Sequence, residues 1–288
     1  MRRFTRFACI DWSGARDERL KGIAVAECAA GSDAPRLVRP ADRRWSRADI
    51  LAWLLDRADD DLLIGIDFSA ALPFADAGAY FPGAPDSPAD ARALWRQVDE
   101  ACRDDPHLAA TSYVRDRAAW FRDGAVKGAR FDSPVFANGR LRIVEQAEAS
   151  GRPASCFNLV GARQVGRSSL TGMRVLHRLG GRVRIWPFDA VPPAGALIVE
   201  IYTAIAATHA HPRAGRSKFT TGADLDIALT SGAIASAPYG HRGPIDDHSS
   251  DAILTAAWLR RAAADARLWS PAGAAPVRDT EGWTFGVP

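Results

Sequence analysis

Two acidic residues close hydrophobic runs in matching contexts, Asp11 in "CIDWSGA" and Asp67 in "GIDFSAA", each followed by an aromatic residue and a serine. An acid at the end of a buried strand loses hydration, and two such acids on adjacent parallel strands repel each other. A divalent cation or a hydrogen-bond donor relieves both costs. Glu200, in "ALIVEIY", is a third candidate: Ile198, Glu200 and Tyr202 share one strand face, and a carboxylate on so apolar a strand needs a partner. In "DDHSSDA", a helix starting near Asp247, with that residue as N-cap, places His248 and Asp251 at i, i+3 on one face of the first turn. Oxygen-rich clusters with one imidazole suit Mg²⁺ or Mn²⁺. Such ions activate water and neutralise the charge that develops on a phosphoryl group, especially as a pair about 4 Å apart. The expected chemistry is metal-dependent phosphodiester hydrolysis, with Asp11, Asp67 and Asp251 holding metal and with Glu200 and His248 completing the shell or orienting water. Ser13 and Ser69 are expected to hydrogen-bond the turns that follow their acids.

These residues need a scaffold that brings distant segments together. "RRFTRFACIDWSG", "LKGIAVAEC" and "PRLVRP" read as three short antiparallel strands. Ser46 and Asp49 form a capping-box pattern ahead of the helical "RADILAWLLDRA", and the apolar "DLLIGIDFSA" reads as a buried strand parallel to the first. Asp11 and Asp67 would then meet at the carboxyl edge of the sheet, where open α/β sheets bind ligands. Residues 72–166 are irregular, with helices expected at "PADARALWRQVDEAC" and "RLRIVEQAEA", and read as a mainly helical insertion within one domain spanning 1–288. "SSLTGMRVLHRL", ended by Gly180 and Gly181, is an expected helix. "RVRIWPF" and "GALIVEIY" are expected to pair as a hairpin, and "DDHSSDAILTAAWLRRAAADA" to form the last helix.

Composition narrows the class. With 47% hydrophobic and 25% charged residues, the chain is ordinary for a globular protein, and its net charge of +3 leaves any phosphate-binding surface a local matter. Cys9, Cys28, Cys102 and Cys156 lack C-x-x-C spacing, which argues against a zinc site or disulfide framework and for a reducing, cytoplasmic setting. The N-terminus does not read as a signal peptide. The longest apolar stretch falls short of the roughly 20 residues needed to span a bilayer, so no membrane partner is expected.

The order of strands and helices resembles the ribonuclease H-like fold. More closely, "CIDWSGA", "GIDFSAALPF", "RIWPFD", "VEIYTA", "DDHSSDAILTAAWL" and the terminal "EGWTFGVP" resemble the domain-of-unknown-function family 429, whose members are predicted nucleases of that fold. The resemblance covers nearly the whole chain. It implies a nucleic-acid substrate. By similarity to Holliday-junction resolvases it also implies Asp11 as the first-strand acid, Asp67 as the fourth-strand acid and His248 with Asp251 as the closing pair. Glu200 enters only through the match to "VEIYTA".

Arg163, Arg167, Arg174, Arg178, Arg182 and Arg184 cluster within 22 residues, and Arg163, Arg167 and Arg174 are the candidate contacts to a nucleic-acid backbone. "GARQVGRSS" has P-loop spacing with Arg167 in the lysine position, and reads as a turn or a substrate-phosphate contact. His209 and His211 in "HAHP" read as a loop, since Pro212 follows them. Two rival classes fit the acids less completely: a Mg-ATP-dependent phosphotransferase or ATPase of the actin-like group, and a nucleic-acid-binding module without catalysis.

Overall fold

A computed structural model describes residues 2–133, 136–147, 154–161, 165–210 and 219–288. Its centre is a six-stranded mixed sheet. Strands β1 (Arg6–Asp11), β2 (Ala24–Ala29) and β3 (Arg36–Val38) are successively antiparallel. Helix α1 (Arg47–Asp56) crosses over to β4 (Leu62–Ile66), which lies parallel to β1. The crossover starts at the expected capping box: the Ser46 hydroxyl accepts from the Asp49 amide at 3.0 Å, and the Asp49 carboxylate accepts from the Ser46 amide at 2.9 Å.

Between β4 and the next long helix lie α2 (Ala91–Ala101), α3 (Thr111–Asp116), the two-residue strands β5 (Arg122–Asp123) and β6 (Val126–Lys127), and α4 (Ile143–Gln146). Helix α5 (Val165–Arg178) precedes β7 (Arg184–Trp186) and β8 (Leu197–Glu200). Helices α6 (Thr203–Ala210), α7 (Gly222–Leu229) and α8 (Asp247–Ala262) follow. The sheet order is β3-β2-β1-β4-β8-β7.

β7 and β8 do not form the expected hairpin. They pair in parallel, with Arg184 opposite Leu197 and Trp186 opposite Val199. The connecting residues 187–196 therefore travel back along β7 before β8 begins. Asp189 starts that return: its amide donates to the Ile185 carbonyl at 2.8 Å, and its carboxylate accepts from the Ile185 amide at 2.9 Å.

Strand alternation divides the core into two layers. Ala8, Ile10, Ile64, Ile66 and Ile198 face one layer, shared with α5 and with side chains of the 72–166 segment such as Tyr80, Trp95 and Phe157. That segment is packed into the common core. Phe7, Cys9, Leu63, Leu197 and Val199 face the other layer, which α6, α7, α8 and the C-terminal Trp283, Phe285 and Val287 complete. No helix among the described residues is long and apolar enough to cross a membrane.

Candidate active site

Parallel register brings the two echoing motifs together. Ile10 is opposite Ile66, so Asp11 and Asp67 are level at the carboxyl edge, and the Asp67 amide donates to the Ile10 carbonyl at 3.0 Å. Both side chains project towards the α8 layer, the face of Cys9 and Gly65. Asp11 is buried; Asp67 keeps some exposed surface where it lines a cavity of about 550 Å³ over the edge of the sheet. That volume lies within the range of ligand pockets.

Helix α8 supplies the imidazole. Asp246 is its N-cap, accepting from the Ser249 amide at 2.9 Å, so the cap falls one residue earlier than expected and Asp247 is the first helical residue. This phase aims His248 at the sheet edge. His248 Nδ1 lies 2.6 Å from Asp11 Oδ2, and the ring remains partly open to the cavity. One turn on, Asp251 is close enough for its charge to act on Asp67 and His248.

The electrostatics follow from this crowding. Burial, then the neighbouring Asp11 charge, pushes the Asp67 carboxyl well above its ordinary pKa, against a 3.0 Å hydrogen bond from the Thr203 hydroxyl. Burial raises Asp11 as well, opposed by its bond to His248 and by hydrogen bonding with Asp67, so the pair tends to retain a proton. The bond to Asp11 raises the pKa of His248.

Glu200 does not join these acids. In the parallel register it sits opposite Ile66, one residue short of Asp67, and alternation sends its side chain to the opposite face of the sheet. There Arg142 clamps it through two bonds of 2.8 and 2.6 Å, with further bonds from the Ala70 amide at 2.7 Å and the Thr284 hydroxyl at 2.5 Å. Arg142 also binds Glu145 at 2.8 Å. The sequence reading missed Arg142. It also missed Glu281 of "EGWTFGVP", whose carboxylate accepts the amides of Phe74, Ala75 and Ile143.

The arginines are divided likewise. Arg174 is fully buried and bonds Asp99 of α2 at 2.8 Å and the Ala109 carbonyl, so it ties α5 to the 72–166 segment and is inaccessible to phosphate. Arg178 shares Asp99 at 2.9 Å. Arg167 lines the cavity and bonds Asp123 at 2.6 Å, whereas Arg163, with the middle of the P-loop-like stretch, lies outside the described residues. Replacing Arg174 by Met should destabilise the fold by about 1–3 kcal/mol, because the Ala109 carbonyl loses its donor and Asp99 one of its two. Urea denaturation measures this, and nucleic-acid affinity should not change.

Ser13 bonds the turn after its acid as expected, its hydroxyl accepting from the Ala15 amide at 3.3 Å, whereas the Ser69 hydroxyl departs from that expectation and donates to Glu145 of α4 at 3.4 Å. His209 is helical, in α6; it stacks on Trp258 and accepts from the indole at 3.1 Å. His211 is outside the described residues.

Among the described residues, no three His, Cys, Asp or Glu side chains are arranged to hold a metal ion. The donor set still fits Mg²⁺, which is commonly bound through one or two carboxylates, with waters and substrate phosphate completing its octahedron. Asp11 is held by His248 and Asp67 by the Thr203 hydroxyl, and the two carboxyls also hydrogen-bond each other, so they are close enough to share one ion. No family model, curated protein or solved structure matches the chain.

Proposed function

We propose that the protein is a divalent-metal-dependent phosphodiesterase acting on nucleic acid, built on a ribonuclease H-like sheet of the kind ascribed to domain-of-unknown-function family 429. The observation that carries the proposal is the side-by-side placement of Asp11 and Asp67, two carboxyls raised by burial at the edge of parallel strands, beside an open cavity. Uncompensated like charges there are costly, and Mg²⁺ or Mn²⁺ removes the cost. Asp11 and Asp67 hold the ion, and Asp251 adds negative potential from α8. The bound ion supplies charge neutralisation at the phosphoryl group and an acidified water.

His248 is positioned by Asp11 so that its second ring nitrogen is available to hold or move a proton. Glu200 acts from below, as part of the ion cluster that fixes the cavity floor. Arg16 and Arg167 on the rim give an anionic substrate a complementary wall. The four cysteines are free and buried, which supports a cytoplasmic setting.

Thermal denaturation after EDTA treatment tests the proposal. Mn²⁺ alone should raise the melting temperature of the wild type and support cleavage of labelled oligonucleotides. A rise that needs ATP together with Mg²⁺, without cleavage, would replace this reading by a nucleotide-dependent phosphotransferase.

A further inference from the structure

The loop after β1 is pinned onto the first turn of α5. Gly14 marks the crossing: a Cβ there would lie 2.5 Å from the Ser168 amide nitrogen and 2.6 Å from the Arg167 carbonyl carbon, so only glycine fits. Buried Arg47 holds the same loop, donating to the carbonyls of Ser13, at 2.9 Å, and Ala15. The Trp12 indole donates to the Thr171 hydroxyl of α5 at 3.1 Å.

The consequence is the placement of Arg16. Arg16 and Arg167 both line the large cavity, and both also line a second, smaller one of about 160 Å³. The far wall of the smaller cavity includes Arg115, Phe121 and Val126, the last 69% exposed. Three arginines and a single aspartate, Asp123, line it. Arg167 is paired with Asp123, whereas exposed Arg16 has no acid partner among the described residues.

We infer that Arg16 and Arg167 form a saddle crossed by a single nucleic-acid strand, one unit seated in the large cavity and its neighbour in the small one, with Arg16 on the intervening phosphate. This rests on the phosphodiesterase reading and names its substrate class. A guanidinium on a braced loop is pre-organised for bidentate phosphate binding. A large and a small cavity that share a pair of arginines suit successive units of one strand, in the way that single-strand binders combine a positive track with apolar seats. A paired duplex cannot place adjacent units in separate pockets without opening.

Fluorescence anisotropy with labelled oligo(dT) and oligo(U) of one to six residues, in Ca²⁺, tests the path. Wild type should gain roughly tenfold in affinity from one residue to two, the first length with a bridging phosphate. Arg16→Ala should remove that gain and lower the slope of log affinity against log salt by about 0.7. Val126→Glu should weaken binding of two or more residues but not of one, and the corresponding duplex should bind more weakly than the single strand. If wild type cleaves oligonucleotides but both variants bind every length as wild type does, or the duplex binds equally well, the strand path is wrong and the phosphodiesterase reading stands. If wild type neither binds nor cleaves any of these probes, both fall.

Discussion

Asp67→Asn should stabilise the metal-free protein, raising its melting temperature by a few degrees, while reducing Mn²⁺-dependent cleavage by on the order of 10³-fold. The two effects share one cause. The Asp67 carboxyl is raised by burial and by the Asp11 charge, so ionising it opposes folding unless a cation is present. Asparagine keeps an oxygen for the Thr203 hydroxyl, which bonds Asp67 at 3.0 Å, but carries no charge. It therefore removes the repulsion and with it half of the proposed metal site.

The pH dependence in EDTA has a definite sign. An acid whose pKa is raised on folding holds more protons in the native than in the unfolded state, so its contribution to stability is lost as pH rises from the ordinary carboxylate range through the raised value. His248, raised by its bond to Asp11, acts in the same direction: its contribution is complete below its ordinary pKa and is lost as pH passes the folded one. Wild-type stability should therefore fall as pH rises from about 5 to 8 in EDTA, with a shallower fall in Asp67→Asn and a partial reversal when Mn²⁺ is added to wild type. A melting temperature lowered by the substitution in EDTA would contradict this account of the acid pair.

What was legible in the sequence was whatever had a local or periodic signature. The Asp11 and Asp67 echo could be read because a crossover helix between two apolar runs implies parallel neighbours, and parallel neighbours align their ends. The i, i+3 spacing of His248 and Asp251 survived a one-residue error in the helix cap. Glu200 was misplaced because "ALIVE" is apolar on both faces, so nothing in it specifies register, and a shift of one residue moves a side chain to the other face of the sheet. The β7 and β8 pairing was missed because a Pro-rich connection resembles a hairpin loop and gives no sign that it doubles back. Arginine roles were hidden for a different reason. Arg174 sits on a helix among other arginines as a solvated residue would, and only its partner Asp99, 75 positions away, shows that it is buried structure. Arg142 meets Glu200 across 58 positions, and Arg16 matters through a loop crossing at Gly14 that no short motif encodes.

Arg142→Met should lower stability by about 3–5 kcal/mol, seen as a drop in melting temperature on the order of 10 °C. Arg142 and its partners Glu145 and Glu200 are all nearly inaccessible, and the thioether would replace the cation facing both carboxylates while leaving their charges in place. Removing one partner from a buried ion cluster costs far more than the intact cluster contributes, because the remaining charge has no water to return to. Glu200→Gln should be milder: the amide oxygen can still accept, and Arg142 keeps Glu145 at 2.8 Å. Combining the two substitutions should therefore cost less than the sum of the single effects, since each removes part of the other's penalty. The same variants separate structure from chemistry. If Glu200 only braces the cavity floor, Glu200→Gln at a temperature where it is folded should keep the Mn²⁺-induced rise in melting temperature that Asp67→Asn loses. Loss of that rise in Glu200→Gln would mean that the two faces of the sheet act on one ion, and the division drawn between the buried ion cluster and the Asp11 and Asp67 pair would have to be abandoned.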